Sequence, residues 1–218
     1  MRNEIRDIYL TYDHSRMDLD VLMDALHQVK NLEEGVYVEL GTGRGIASKM
    51  LIPYLPDQTY YTVDPFEPYG SGDIDPWASV NQHMMKADDF YIQGKDSTLE
   101  TLKHIAEMAG CEFYHMDMAD SEFIKKTNQK FRYVYVDSEH TLEHVKLISS
   151  LLVSLDKVVD GGVVIFDDVS CYDHSIIDSY MIKNGYEKMR DTDFKVSYMC
   201  HRPLTTGAAF SYNDSEVK

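Results

Sequence analysis

Between Val36 and Gly45 the chain reads Val-Tyr-Val-Glu-Leu-Gly-Thr-Gly-Arg-Gly. The alternating apolar residues describe a buried strand, and three glycines at every second position then break it. An amphipathic run begins at once with Ile46. Strand, glycine turn and helix in that order restrict the chain to an α/β sheet with a ligand-type loop at a strand's carboxyl end. Glycine there leaves no Cβ between the backbone and a ligand. Glu39 stands at the strand end, with its carboxylate expected to face the loop.

The rest of the chain alternates in the same way. Leu19, Leu22, Ala25, Leu26 and Val29 mark one face of a helix over 17–30, and Gly35 lies just past its end. Thr59–Val63 reads as a second strand ending in Asp64. Two helices are expected over 79–93 and 97–109, with Ser97-x-x-Glu100 as a capping box. Cys111–Met116 is a third strand, followed by Asp117-Met118-Ala119-Asp120. Phe131–Val136 is a fourth, ending at Asp137, and a helix runs from Leu142 to Leu155. Gly161 and Gly162 turn the chain into a fifth strand, Val163–Phe166, ending in Asp167-Asp168. A helix over Ser175–Lys183 and a hairpin about Asp191-Thr192-Asp193 complete the pattern. The expected fold is a single doubly wound, mostly parallel sheet with a C-terminal antiparallel hairpin. It spans residues 1–202, with 1–16 a loose lead-in and 203–218 a polar tail. Pro65 to Pro76 reads as a loop, a candidate lid with Trp77 at its end. Ligands of such sheets bind beyond the carboxyl ends of the strands, where Glu39, Asp64, Asp117, Asp137 and Asp167 converge.

Charge narrows the partners. The 218 residues carry a net charge of −16, with a pI near 4.8. That argues against nucleic acid and anionic membranes and leaves a neutral or cationic small molecule. The three cysteines, Cys111, Cys171 and Cys200, form no C-x-x-C pair. No apolar run is long enough to span a bilayer, and the polar N-terminus lacks a signal core, so a cytoplasmic protein is expected.

The spacing Glu39-x-Gly41-x-Gly43-x-Gly45 departs from a nicotinamide fingerprint, whose third glycine would fall at Ile46. It resembles the first motif of the class I S-adenosylmethionine methyltransferases. That resemblance implies S-adenosylmethionine as cofactor, with Glu39, Gly41, Thr42, Gly43 and Gly45 around its methionine end. Asp64 would accept from the ribose hydroxyls; the plainer alternative is a strand-end acid capping the turn at Pro65. Asp117 would take the adenine amino group with Met118 against the ring, or else Asp117 or Asp120 caps the next helix.

Asp137-Ser138-Glu139-His140 together with Asp167-Asp168 resembles the metal-dependent O-methyltransferases, within them the macrocin O-methyltransferase and cephalosporin hydroxylase group. The resemblance implies Mg²⁺ held by Asp137, Asp167 and Asp168, with Asp137 also beside the cofactor and His140 as general base. It implies transfer of a methyl group to a hydroxyl of a small molecule, a sugar or a catechol-like diol. Crowded carboxylates do call for a cation or protons. The bland alternatives are strand-end acids without a metal and His140 as a first-turn surface residue. A nicotinamide-dependent oxidoreductase and a non-catalytic S-adenosylmethionine-binding protein are the rival functions.

Overall fold

The computed structural model of the chain describes residues 18–66 and 87–201, and of residues 87–94 only the backbone. The expected lead-in, most of the Pro65–Pro76 loop, Trp77 and the tail over 203–218 lie outside the described residues. Seven strands form one sheet in the order β3-β2-β1-β4-β5-β7-β6. Their ranges are β1 Val36–Leu40, β2 Thr59–Val63, β3 Glu112–Met116, β4 Phe131–Val136, β5 Val158–Phe166, β6 Tyr186–Asp191 and β7 Val196–Cys200. The first five run parallel to one another, and β7 runs antiparallel between β5 and β6. This is the expected doubly wound sheet closed by a hairpin.

Helices cover both faces. They are α1 Leu19–Val29, α2 Ile46–Leu51, α3 Ala87–Ala109, α4 Asp120–Lys126, α5 Leu142–Ser154 and α6 Ser175–Lys183. On one face Val21, Leu22 and Leu26 of α1 and Leu102 of α3 pack against Tyr37, Tyr133 and Ile165. On the other, Ile148 and Leu152 of α5 and Ile177 of α6 pack against Val38, Val134 and Phe166. Every residue of β4 is buried, as befits a strand covered on both sides. That includes Arg132, whose guanidinium donates to the carbonyls of Gly35 and Glu33 at 2.6 and 3.0 Å and so closes the turn after α1.

Two expectations are corrected. The segments over 79–93 and 97–109 meet as one helix in the described part, α3, which runs unbroken through Gly94 and Ser97. Ser97 is an interior residue whose carbonyl accepts from the Thr101 hydroxyl at 2.8 Å. A single helical glycine costs only about 1 kcal/mol, and the burial of Thr98, Leu102 and Ala106 outweighs it. Gly161 and Gly162 are likewise inside β5 and do not precede it. The register against β4 slips there, from Phe131↔Val158 to Tyr133↔Val163, so the glycines form an irregularity in a longer strand.

Candidate active site

The carboxyl edge of the parallel strands is built by backbone first. Asp64 N–H donates to the Met116 carbonyl at 3.1 Å, Asp137 N–H to Leu40 at 2.8 Å and Asp167 N–H to Val136 at 3.0 Å. Each acid is thus stitched to the last carbonyl of the neighbouring strand, while its side chain stands past the sheet.

The glycine loop meets this edge at Asp64. Gly43 N–H donates to Asp64 Oδ2 at 2.8 Å, and Phe66 N–H donates to Oδ1 at 2.7 Å. Asp64 therefore caps the turn across Pro65 and ties down the loop at once. Each oxygen keeps a lone pair for a ribose hydroxyl. The three glycines differ in their surroundings. A Cβ on Gly41 would lie 2.1 Å from the Asp137 carbonyl, and one on Gly45 would lie 3.0 Å from Leu102. A Cβ on Gly43 would meet nothing within 4 Å. The hydroxyl of Thr42, on a residue only 3% exposed, has no hydrogen-bond partner among the described residues. An open glycine and an orphaned buried hydroxyl in one loop fit a polar ligand lying across it.

Glu39 sits deeper than expected. It is 1% exposed, and its carboxylate accepts from Ser48 in α2 and, at 3.4 Å, from the Tyr60 hydroxyl. Burial pushes its carboxyl up to about 8, against the pull of those two hydroxyls. Its contacts hold the helix that follows the loop. Asp117 is exposed and accepts from Lys95 Nζ at 2.5 Å; that ammonium also lies 5.4 Å from the centre of the Phe66 ring. Met118 is half-buried against the core. Asp120, in the first turn of α4, accepts from the Ser121 N–H at 2.5 Å.

At the far side stand Asp137, His140 and Asp168. His140 Nε2 lies 3.8 Å from Asp137 Oδ1 and 3.6 Å from Asp168 Oδ2, with about a third of each of the three side chains exposed. Burial, and then the negative charge of Asp167, raise the Asp137 carboxyl well above the usual carboxylate range, opposed by Lys195. Asp167 turns inward. It accepts from Lys195 Nζ and the Tyr135 hydroxyl, and also from Asp168 N–H at 2.8 Å.

The expected Mg²⁺ trio is therefore not gathered as a trio. Among the described residues, one group brings three potential ligand atoms within 4.8 Å of one another, His174, Asp178 and Asp191 on α6 and β6. Lys188 already bridges both of those carboxylates. The donor set at Asp137, Asp167 and Asp168 does not fit a divalent ion, because one of its members is engaged by an ammonium.

Three residues were given no functional role in the sequence reading. Lys195 could have been found from register, since Val196 pairs with Phe166 and so sets Lys195 against Asp167. Lys95 lies one helical turn before the Thr98–Leu102 stripe and carries no signal of its own. His144 joins Asp120 and Ser138: its Nε2 is 2.7 Å from Asp120 Oδ2 and 2.9 Å from Ser138 Oγ, which itself donates to Asp120 at 2.7 Å. This closed triangle ties the start of the His140 loop to α4.

A family model described as a methyltransferase domain matches residues 38–169. No curated protein sequence matches the chain. Among solved structures, it is similar to CalS11, described as a TDP-rhamnose 3'-O-methyltransferase of calicheamicin biosynthesis, at 14% identity and a TM-score of 0.55. That match covers 86% of this chain and 80% of the other. It is also similar to the O-methyltransferase NovP, at 17% identity and a TM-score of 0.54, over 83% of this chain and 79% of that one. At these identities the likeness is one of fold. No described helix is long and apolar enough to cross a membrane.

Proposed function

This chain belongs to the methyltransferase-domain family, and from that premise we propose that it carries a methyl group from S-adenosylmethionine to a hydroxyl of a small molecule. The observation that carries the reading is convergence. The open Gly43 loop tied to Asp64 and the His140–Asp137–Asp168 cluster share one sheet edge, although they are far apart in sequence. When bound, S-adenosylmethionine supplies an electrophilic methyl group on a sulfonium.

The chain's own residues then have three tasks. The Thr42–Gly43 backbone and Asp64 would seat the cofactor, with Gly41 and Gly45 setting the loop's path and Glu39 anchoring the helix behind it. Asp117 and Met118 would face its base, with Lys95 steering the Asp117 carboxylate. His140 would take the proton from the acceptor hydroxyl as the methyl arrives, since imidazole titrates nearest neutrality. Asp168, 3.6 Å away, would favour the imidazolium that forms, while Asp137, whose carboxyl holds its proton more tightly than usual, borders it on the other side. A Mg²⁺ between the acids, the expectation from resemblance, is not used in any step, because Asp167 already has its cation. A sugar hydroxyl is the acceptor class favoured, by analogy with the described activity of CalS11; a catechol-like diol is the other.

The test begins with calorimetry. S-adenosylmethionine should bind and NAD should not; the reverse result would point to a nicotinamide enzyme. A panel of sugars and catechols is then screened for S-adenosylhomocysteine release. With an active acceptor, His140→Ala should lower kcat by about 10²–10⁴ and leave cofactor affinity unchanged. No release from any acceptor, with the cofactor tightly bound, would favour a non-catalytic binding protein. An unchanged kcat in a stable His140→Ala variant would remove the base role.

A further inference from the structure

Lys195 is the last residue before β7, in a hairpin whose tip, Asp191 to Asp193, is polar, with both aspartates exposed. Its side chain nevertheless has no exposed surface. The ammonium donates to Asp167 Oδ1 and lies 5.5 Å from the centre of the Tyr135 ring. Asp167 has about four acceptor positions as a carboxylate. Lys195, the Tyr135 hydroxyl and the Asp168 N–H take three of them, and the Asp137 carboxyl lies within hydrogen-bond reach of the same group. A divalent ion at Asp167 would need a free oxygen at close range and would stand beside a buried positive charge.

We propose that Lys195 is the resident cation of this acidic edge, occupying the place its carboxylates would otherwise offer to a divalent metal, and that the Asp137–Asp167–Asp168 edge binds no such metal. The inference deepens the methyltransferase reading and rests on it for what the edge does. Lys195 acts there as a positioning residue. Its pairing fixes Asp167, whose Oδ1 holds the N–H of Asp168. Asp168 has a left-handed backbone, with φ of 47°, a conformation that Asp visits more readily than most residues and that its N–H bond to Asp167 holds here. That conformation brings Asp168 Oδ2 within 3.6 Å of His140 Nε2. Two links therefore separate the ammonium from the histidine.

The test uses Mn²⁺ alone, read by loss of the free-ion electron paramagnetic resonance signal on the full chain. Wild type, Asp168→Asn, Lys195→Met and the double variant are compared. The exposed acids and the His174–Asp178–Asp191 group bind equally in all four and cancel. Wild type and Asp168→Asn should take up the same Mn²⁺. Lys195→Met should hold one further ion that the double variant loses. A stoichiometric ion in wild type that disappears in Asp168→Asn would overturn the proposal. So would a folded Lys195→Met that gains nothing. If Lys195→Met does not fold, the comparison of wild type with Asp168→Asn decides alone. S-adenosylmethionine affinity, measured on the same wild-type sample, tests the methyltransferase reading separately.

Discussion

Gly41 and Gly43 are two residues apart, both with positive φ, at +93° and +46°. Only Gly41 is pressed against protein, with the Asp137 carbonyl where a Cβ would go. Gly41→Ala should cost about 2–5 kcal/mol, from overpacking and left-handed strain together. Gly43→Ala should cost only the strain, about 1–2 kcal/mol, while weakening S-adenosylmethionine at least about tenfold. Melting curves and calorimetry on the two variants check this. Equal stability losses, or a Gly43→Ala variant with wild-type cofactor affinity, would contradict it. The three glycines were plain in the sequence, but their separate reasons were not. The Gly41 constraint comes from Asp137, 96 positions away by number (137 − 41), and no local pattern reports it.

At the scale of elements, the loop between β4 and α5 carries His140 and is fastened by Asp120, Ser138 and His144. Burial works against a charged His144, but the hydrogen bond and charge of Asp120 outweigh it and raise its pKa. Burial likewise opposes ionisation of Asp120, and the His144 and Ser138 hydrogen bonds prevail and lower its pKa. The signs set a window. A raised histidine contributes stability that is complete below its unfolded value, about 6.5, and is lost as pH rises through the folded value. A lowered aspartate contributes stability present above its unfolded value, about 3.9, and lost as pH falls through the folded one. The fastening is therefore strongest in mildly acidic solution. The stability gap between wild type and His144→Ala should narrow as pH is raised from about 5.5 to 9. Chemical denaturation across that range measures it, and a gap that widens would show that the pair is not ionised as described. The element pattern itself was mostly legible, because runs such as Phe131–Val136 and Val163–Phe166 announce strands whatever surrounds them. The breaks were less so. Gly94 and Ser97 look like a boundary, and only the packing of Thr98 and Leu102 against the Gly45 turn shows why the helix continues.

Over the whole molecule, 37 acidic residues face 21 basic ones. Such an excess repels itself in the compact state, and salt screens it. The melting temperature should rise when NaCl is added to a low-salt buffer near neutral pH. A fall would mean that attractive ion pairs, such as Lys188 with Asp178 and Asp191, dominate the balance. The sequence pointed to a metal because Asp137, Asp167 and Asp168 end neighbouring strands, and crowded carboxylates call for a counter-charge. Lys195 is 28 positions from Asp167, in a stretch that reads as a polar hairpin. Only the antiparallel pairing of β7 with β5 brings the two together.

The acids of the carboxyl edge are held by their amides, Asp64 to Met116, Asp137 to Leu40 and Asp167 to Val136. Any amino acid other than proline has that amide to offer. The amide frame is therefore indifferent to what these positions carry, while the Asp64 and Asp167 side chains add a second tie each, to the glycine loop and to Lys195. The edge is thus sewn twice, once by amides that any residue but proline could supply and once by carboxylates that only these residues supply.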